Sequence, residues 1–485
     1  MLITDETLLQ YKRCKRKAFL NFHCQRDEKP QVKDFVKKLK QERIIHTKQV
    51  IEHYNWTVHY PSLSNDSLVE STLDLMRRGV DCIYDGQLNY TNEDGSLVFE
   101  TNPTLLIKQN IASALGDWSY LSVNTHLGKS HKPEYKLIAA FQGFILAQNQ
   151  GLMPNSADFV VRNFRRYTIN LGIWLPKVQE AIEDCQRLFG AEDAPEVFIS
   201  RQKCGLCEWY GDCHGIAVQE NHLSLIPGIT PRKYELLRQK GAGDFEGLVS
   251  LSLPELNQIL NYDGAEVLFK QVQSLRLNRP ILKGDVINSI PSSSIELYFD
   301  IEAEPDRQVD YLLGIFLVDN DNNTEKYYSF LAENLEQEKE AWLNFLEFVN
   351  GYPDSFIYHF SGYEVETIKR LANVYKSPNK LIQPLLKRLV DVHKLVTQNY
   401  LFPVESYSLK SLGKWLDFQW RIPPNHDFKS VGGDQCVAWY DKWLLEGDRT
   451  YLDYILMYNE DDCRATFAVK KYLTSLSLLS SEIDI

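Results

Sequence analysis

Ser294-Ile295-Glu296-Leu297-Tyr298-Phe299 runs directly into Asp300-Ile301-Glu302. Its alternating, β-rich pattern predicts a strand. Asp300 and Glu302 are two residues apart, so a strand points both carboxylates to one face. Acids paired beside a core are costly unless a cation neutralises them. Mg²⁺ and Mn²⁺, hard cations that prefer carboxylate oxygen, are suited to that task. Working outward, Glu364 and then Tyr458 with Asp462 follow in an order that describes a site for two such ions.

The surrounding pattern predicts strands at 311–318 and 325–331 around an Asp/Asn-rich turn at 319–323. A helix at 335–350, a strand at 355–360 and a helix at 363–375 come next. A fifth strand at 389–392 and helices at 408–415 and 449–476 complete the segment. A three-stranded meander followed by alternating helix and strand is the ribonuclease-H-like order. Glu364 then lies just after the fourth strand, and Tyr458 and Asp462, four apart on the last helix, share a face. Asp461 is the alternative register to Asp462. Asp391 either supports the site or caps a core element, and His359 and His393 read as ordinary strand-end histidines.

A chain of 485 residues, 44% hydrophobic and 24% charged, accommodates two to four globular domains. No apolar run reaches membrane-spanning length and the start lacks a signal-peptide core, so a cytoplasmic protein without a membrane partner is expected. The net charge of −12 is unevenly spread. From Ile295 onward there are 31 acidic and 19 basic residues, and before it 34 of each. The first fifty residues carry 13 Lys and Arg against 6 Asp and Glu. Phosphate contact therefore fits the opening helix, through Lys12, Arg13, Lys15, Arg16 and Lys17, and the stretch 33–48; a solvated helix face is the plainer reading.

Residues 1–218 read as one α/β domain, with helices at 8–22, 34–56 and 133–150 and strands at 80–84, 96–99, 105–108 and 120–123. It closes on Cys204, Cys207 and Cys213, a Cys-x2-Cys-x5-Cys cluster. Cys14 is the best fourth ligand, with Cys24 next. Such a set suits an iron–sulfur cluster, with zinc as the competitor. Cys82, Cys185, Cys436 and Cys463 read as core fillers. Residues 219–283 read as a small helical insert, helix-hairpin-helix-like at Leu225-Ile226-Pro227-Gly228-Ile229-Thr230. Arg232, Lys233, Arg238 and Lys240 favour a phosphate contact there, and a structural spacer is the alternative. Residues 284–294 read as a linker into the domain at 295–485.

Over essentially its whole length the chain resembles the bacterial RecB-like nuclease family. That family joins a PD-(D/E)xK domain, of the type found in CRISPR-adaptation exonucleases, to a C-terminal DEDD exonuclease domain. The stretch from Tyr11 to Lys17 resembles the family's opening cysteine motif, and Cys204, Cys207 and Cys213 its closing cluster. The resemblance implies an iron–sulfur centre, of the 4Fe-4S kind, on Cys14, Cys204, Cys207 and Cys213, and places His46 beside a metal. Pro103-Thr104 and Asn124-Thr125-His126 stand where the family has its metal-binding acids and lysine. This implies a first domain that folds but does not cleave, unless His46, Asp81, Asp85 or Glu100 form a replacement site.

In the second domain the resemblance implies a DEDD exonuclease of the tyrosine type, with Asp300, Glu302, Glu364, Tyr458 and Asp462 at the catalytic site. Asp300, Glu302, Glu364 and Asp462 would hold two Mg²⁺ or Mn²⁺ ions. The expectation is a metal-dependent 3′→5′ exonuclease acting on single-stranded DNA or RNA. The alternative is a non-catalytic nucleic-acid-binding scaffold in a DNA repair or CRISPR-related complex.

Overall fold

The computed structural model describes residues 1–24, 29–62, 67–262, 264–284, 290–424 and 431–483. The chain divides into two units, Met1–Cys213 and His214–Ile485.

The first unit opens with helices α1 (Asp5–Arg13), α2 (Lys15–His23) and α3 (Asp34–His53). Its main sheet orders β1 (Val58–His59), β2 (Cys82–Tyr84), β3 (Leu105–Gln109), β4 (Ser119–Thr125), β5 (Ser156–Val160) and β6 (Arg166–Asn170) consecutively. β4 and β5 are parallel, so their connection crosses over through helix α4 (Pro133–Gln150). β4 is buried along its whole length, as befits a strand covered on both faces. α5 (Leu171–Phe189) follows β6 directly. The strands β1, β5 and β6, the helix Leu68–Arg77 and the helix α5 are among the elements that add to those expected from sequence.

The second unit begins with the helical segment expected at 219–283. It contains helices Pro231–Gln239, Phe245–Ser250, Leu253–Leu260 and Ala265–Leu277. Thr230 caps the first through the Lys233 N–H, and Ser252 and Glu255 form a reciprocal capping box on the third. The short strand Ile281–Leu282 pairs with Tyr400–Leu401. The Gln271 amide and Ser274 hydroxyl donate to the Phe402 and Leu401 carbonyls, each at 2.7 Å, and fasten the segment to the sheet domain. Residues 285–289 of the expected linker lie outside the described residues.

The sheet of this unit contains β7 (Ile295–Glu304), β8 (Val309–Asp319), β9 (Thr324–Leu331), β10 (Phe356–His359) and β11 (Leu389–Asp391), in the spatial order β9-β8-β7-β10-β11. The first three form an antiparallel meander, and β10 and β11 run parallel to β7. β7 is thus the central strand. Helices α6 (Glu338–Asn350) and α7 (Tyr363–Val374) bracket β10 in sequence, and α8 (Leu409–Trp415), α9 (Gly433–Glu446) and α10 (Thr450–Ile483) follow. The predicted elements occur in the predicted order; α9, the helices Asn379–Arg388 and Val392–Asn399 and the short strand Tyr400–Leu401 add to them.

α10 is anchored to β7 by a buried ion pair. Lys470 Nζ donates to Glu296 Oε1 at 2.6 Å. The Tyr298 and Tyr358 hydroxyls donate to the same carboxylate at 2.6 and 3.1 Å. A buried charge with all its oxygens satisfied is tolerable, whereas a half-satisfied one is not. This pair sets the axial position of α10, and with it which of its side chains reach Asp300.

Candidate metal centre

Asp300 stands opposite Gly314 in the β7–β8 ladder, and Glu302 opposite Leu312 just before a β-bulge. One ligand atom each from Asp300, Glu302 and Asp462 lies within 4.8 Å of the others. Among the described residues no other set of three acidic, histidine or cysteine side chains closes in this way. β7 supplies two of these acids by its period of two, and α10 supplies the third.

The electrostatics are those of crowded, desolvated acids. Burial first, then Asp462, Glu302 and Glu364, pushes the Asp300 carboxyl well above its ordinary value. Burial and Asp462 do the same to Glu302, against the lowering effect of Lys410. Asp462 is pushed up to about 6, chiefly by burial. Like charges this close cannot all ionise without a compensating cation.

The Trp420 indole N–H donates to Asp462 Oδ1 at 2.6 Å, and the Tyr458 hydroxyl lies near enough to lower the pKa of that carboxylate, against the larger effect of burial. Tyr458 is itself buried, and burial with the neighbouring acids holds its hydroxyl protonated. The Lys410 ammonium lies 5.0 Å from the centre of the Tyr458 ring. Asn459, fully buried, donates from Nδ2 to Asp300 Oδ2 at 2.7 Å.

Glu364 occupies the first turn of α7 and is buried. It is near enough to raise Asp300 but falls outside the 4.8 Å group. Its Oε2 lies 3.4 Å from His359 Nδ1, and neither atom has a hydrogen-bond partner among the described residues. His359, expected to be an ordinary strand-end residue, therefore lies beside the fourth acid. The turn between them contains Ser361 at φ 106°, a conformation an L-residue adopts only under constraint. The Ser361 N–H donates to Asp391 Oδ1 at 3.3 Å. Asp391 also caps the helix Val392–Asn399, so its part is to hold the turn and the helix start. His393 packs edge-on against Phe360.

Trp420, Asn459, Lys410 and Gly314 were not among the expected site residues. Only Gly314 carries a sequence signal, since glycine inside a central strand marks a close approach by another group. The contacts of the other three depend on chain segments distant in sequence.

In the first unit, the positions where the family has acids form a largely neutral network. Arg43 donates to the Thr104 hydroxyl at 3.1 Å, and the Thr104 N–H to Asn124 Oδ1 at 3.3 Å. Asn124 donates to Gln142 at 2.5 Å, and Gln142 to Asp5 at 2.8 Å. Thr47 and Thr125 share a hydrogen bond of 2.6 Å. The carboxyl in the chain, Asp5, is pushed up to about 6 by burial. His126 stacks on Tyr135 at 3.7 Å and is pushed down to about 3, by burial and then by Arg43 and Arg13. His46 is buried, with its pKa lowered by burial and Arg162, and its Nε2 has no hydrogen-bond partner among the described residues. Neither it nor Asp81, Asp85 or Glu100 joins a closed group of ligands.

The expected cysteine centre needs a correction in geometry. Cys14 lies close enough to Cys204, Cys207 and Cys213 to raise the pKa of each. No pair or group of these sulfurs approaches the spacing of an iron–sulfur ligand set. Cys14 Sγ instead accepts the Lys17 N–H at 3.4 Å and caps α2, while Cys204 Sγ accepts the Ser200 N–H at 3.3 Å. Burial raises the thiols of Cys204, Cys207 and Cys213, Cys207 to about 11. As they stand the four do not form a ligand cage. Cys24 ends α2, with its N–H donating to the Leu20 carbonyl. Cys82, Cys185, Cys436 and Cys463 are buried.

A sequence profile of the RNase_H superfamily matches residues 297–474, a span that contains every residue of the acidic site. No curated protein matches the chain. The chain is therefore an α/β multidomain protein with a C-terminal RNase H-like domain, which points to nucleic acid as the substrate class. No helix among the described residues is long and apolar enough to cross a membrane.

Proposed function

We propose that the RNase H-like domain of this chain is a metal-dependent 3′→5′ exonuclease on single-stranded DNA or RNA, of the DEDD type with tyrosine. The observation that carries the reading is the convergence of Asp300, Glu302 and Asp462 in a recess where burial disfavours their charge. Acids held there gain most from divalent cations. These three residues would hold the ions, with Glu364 alongside. Bound ions would supply charge to activate a water and to stabilise the leaving 3′ oxygen.

The protein's own groups do the rest. Tyr458 is kept protonated by its surroundings, so it serves as a hydrogen-bond partner that orients the attacking water and not as its base. The Lys410 ammonium, over the Tyr458 ring, offers a positive charge to a phosphate oxygen. Trp420 and Asn459 fix the orientations of Asp462 and Asp300. The direction of degradation and the DEDD subtype rest on the family resemblance.

For the first unit we propose a RecB-like domain that binds or orients nucleic acid without cutting it. The support is chemical: Thr104, Asn124 and His126 are committed to hydrogen bonds and stacking, and hydroxyl and amide groups are weak ligands for Mg²⁺. The basic opening helix is its proposed contact with phosphates; the segment 219–283, in the second unit, is another proposed contact.

The test is a 5′-labelled single strand, DNA and RNA in parallel, incubated with Mn²⁺ and either the wild-type chain or Asp300→Ala. Progressive shortening from the 3′ end that Asp300→Ala abolishes is the expected result. Binding without shortening would make the chain a scaffold. Shortening that survives the substitution would move the activity out of this site.

A further inference from the structure

Asn459 makes two hydrogen bonds that together fix its orientation. Its Nδ2 donates to Asp300 Oδ2 at 2.7 Å, and its Oδ1 accepts from the Tyr327 hydroxyl at 2.8 Å. A phenol donating to the oxygen end leaves the NH₂ end to face the carboxylate. Space for the amide comes from Gly314, the residue opposite Asp300 in the β7–β8 ladder. A Cβ at that position would lie 1.7 Å from Asn459 Oδ1 and 2.8 Å from the Tyr327 hydroxyl. Gly314 does not have a positive φ, so what glycine provides here is room for the neighbouring amide.

We propose that Asn459, held by Tyr327 in the space left by Gly314, is a positioning residue that orients Asp300 for divalent-cation binding. The proposal rests on the metal-dependent nuclease reading and deepens it. The amide occupies one oxygen of Asp300 and restrains rotation of the carboxylate, so that its remaining lone pairs stay directed toward Glu302 and Asp462. A neutral donor does this without adding a positive charge that would compete with an ion. Two strands and one helix supply the parts: Gly314 from β8, Tyr327 from β9 and Asn459 from α10, all serving an acid on β7.

Mn²⁺ binding to the full chain, measured by titration calorimetry and by the Mn²⁺ paramagnetic resonance signal without nucleic acid, tests this directly. The Mn²⁺ dependence of strand shortening is the second readout. Asn459→Ala should weaken Mn²⁺ binding about 10- to 100-fold, the usual range for residues that orient metal ligands. Gly314→Ala, which removes no polar group, should do the same by displacing the amide. Tyr327→Phe deletes one hydroxyl and should weaken binding by a smaller factor. The double variant Gly314→Ala/Asn459→Ala should be little worse than Asn459→Ala alone, because the severe clash of the methyl is with the amide, and with that gone only the Tyr327 hydroxyl, 2.8 Å from the new Cβ, has to shift. General destabilisation would instead make the two losses multiply.

Thermal unfolding without metal identifies a variant that fails to fold; Tyr327→Phe, the mildest change, then carries the test. Wild-type Mn²⁺ affinity in folded Asn459→Ala, or in Tyr327→Phe where Asn459→Ala does not fold, overturns the inference, as do multiplicative losses in the double variant. If the wild type shortens strands, Asp300→Ala does not, and Asn459→Ala behaves as wild type, this inference fails and the nuclease reading stands. If the wild type neither binds Mn²⁺ nor shortens a strand, both fail.

Discussion

Arg421 holds Asp461 through its main-chain N–H at 2.7 Å and its Nε at 2.8 Å, so that of two adjacent aspartates one is paired with an arginine and the other, Asp462, joins the acidic site. With Asp461 committed to Arg421, the next residue on α10, Asp462, turns toward Asp300 and Glu302. Arg421 also reaches Glu460 at 2.9 Å, so one guanidinium steadies the helix beside the site.

The two aspartates should therefore separate by phenotype. Asp462→Asn should reduce Mn²⁺-dependent strand shortening at least about 100-fold while leaving the fold intact. Asp461→Asn should retain activity within about 10-fold but lose about 1–2 kcal/mol in urea unfolding, because its partner is half exposed and the pair is partly screened. Interchanged phenotypes would assign the site to the wrong register.

A pH dependence follows from the crowded acids. Asp462 is raised to about 6 from the usual 3.8, first by burial. A carboxyl whose pKa is higher folded than unfolded binds its proton more tightly in the folded chain. Its contribution to stability is then present at low pH and declines as pH rises between about 4 and 6. Asp462→Asn has no such proton to lose. In metal-free protein its unfolding temperature should rise relative to wild type across that window, and Mn²⁺ should bind the wild type more tightly as pH increases. A constant difference in unfolding temperature would contradict the assignment.

The buried Lys470–Glu296 pair offers a test of how α10 is held. Lys470→Met removes one partner and leaves a carboxylate buried among tyrosines, which should cost about 3–5 kcal/mol. Glu296→Gln/Lys470→Met, which removes both charges, should recover much of that loss. Urea unfolding of the three proteins measures it, and equal destabilisation of single and double variants would count against the pair.

Cleavage by the first unit should be absent. The full chain carrying Asp300→Ala should show no Mn²⁺-dependent cutting of single- or double-stranded DNA, because Thr104 and Asn124 are bound to each other and to Arg43 and Gln142. The same variant should still shift labelled nucleic acid in a binding assay. Residual metal-dependent cutting would point to a second site in residues 1–213.

The sequence by itself determined the parts of the site that depend on local periodicity. A strand through 295–302 puts Asp300 and Glu302 on one face, and a helix through Tyr458 brings Asp462 round to the same side. The order of strands and helices in 295–485 was legible for the same reason, since alternation and helical spacing are properties of neighbours in the chain. Only the tertiary structure decided the rest. Asp462 faces the acids while Asp461 is taken up by Arg421; Asn459 can reach Asp300 because Gly314 leaves room; Trp420 and Lys410 come from segments whose approach no periodicity encodes. The cysteines are the converse case. Their spacing invites a common centre, but in the fold no pair of these sulfurs approaches the spacing of an iron–sulfur ligand set. Spacing specifies which residues are candidates, and hydrogen-bond partners from distant parts of the chain settle which of them converge.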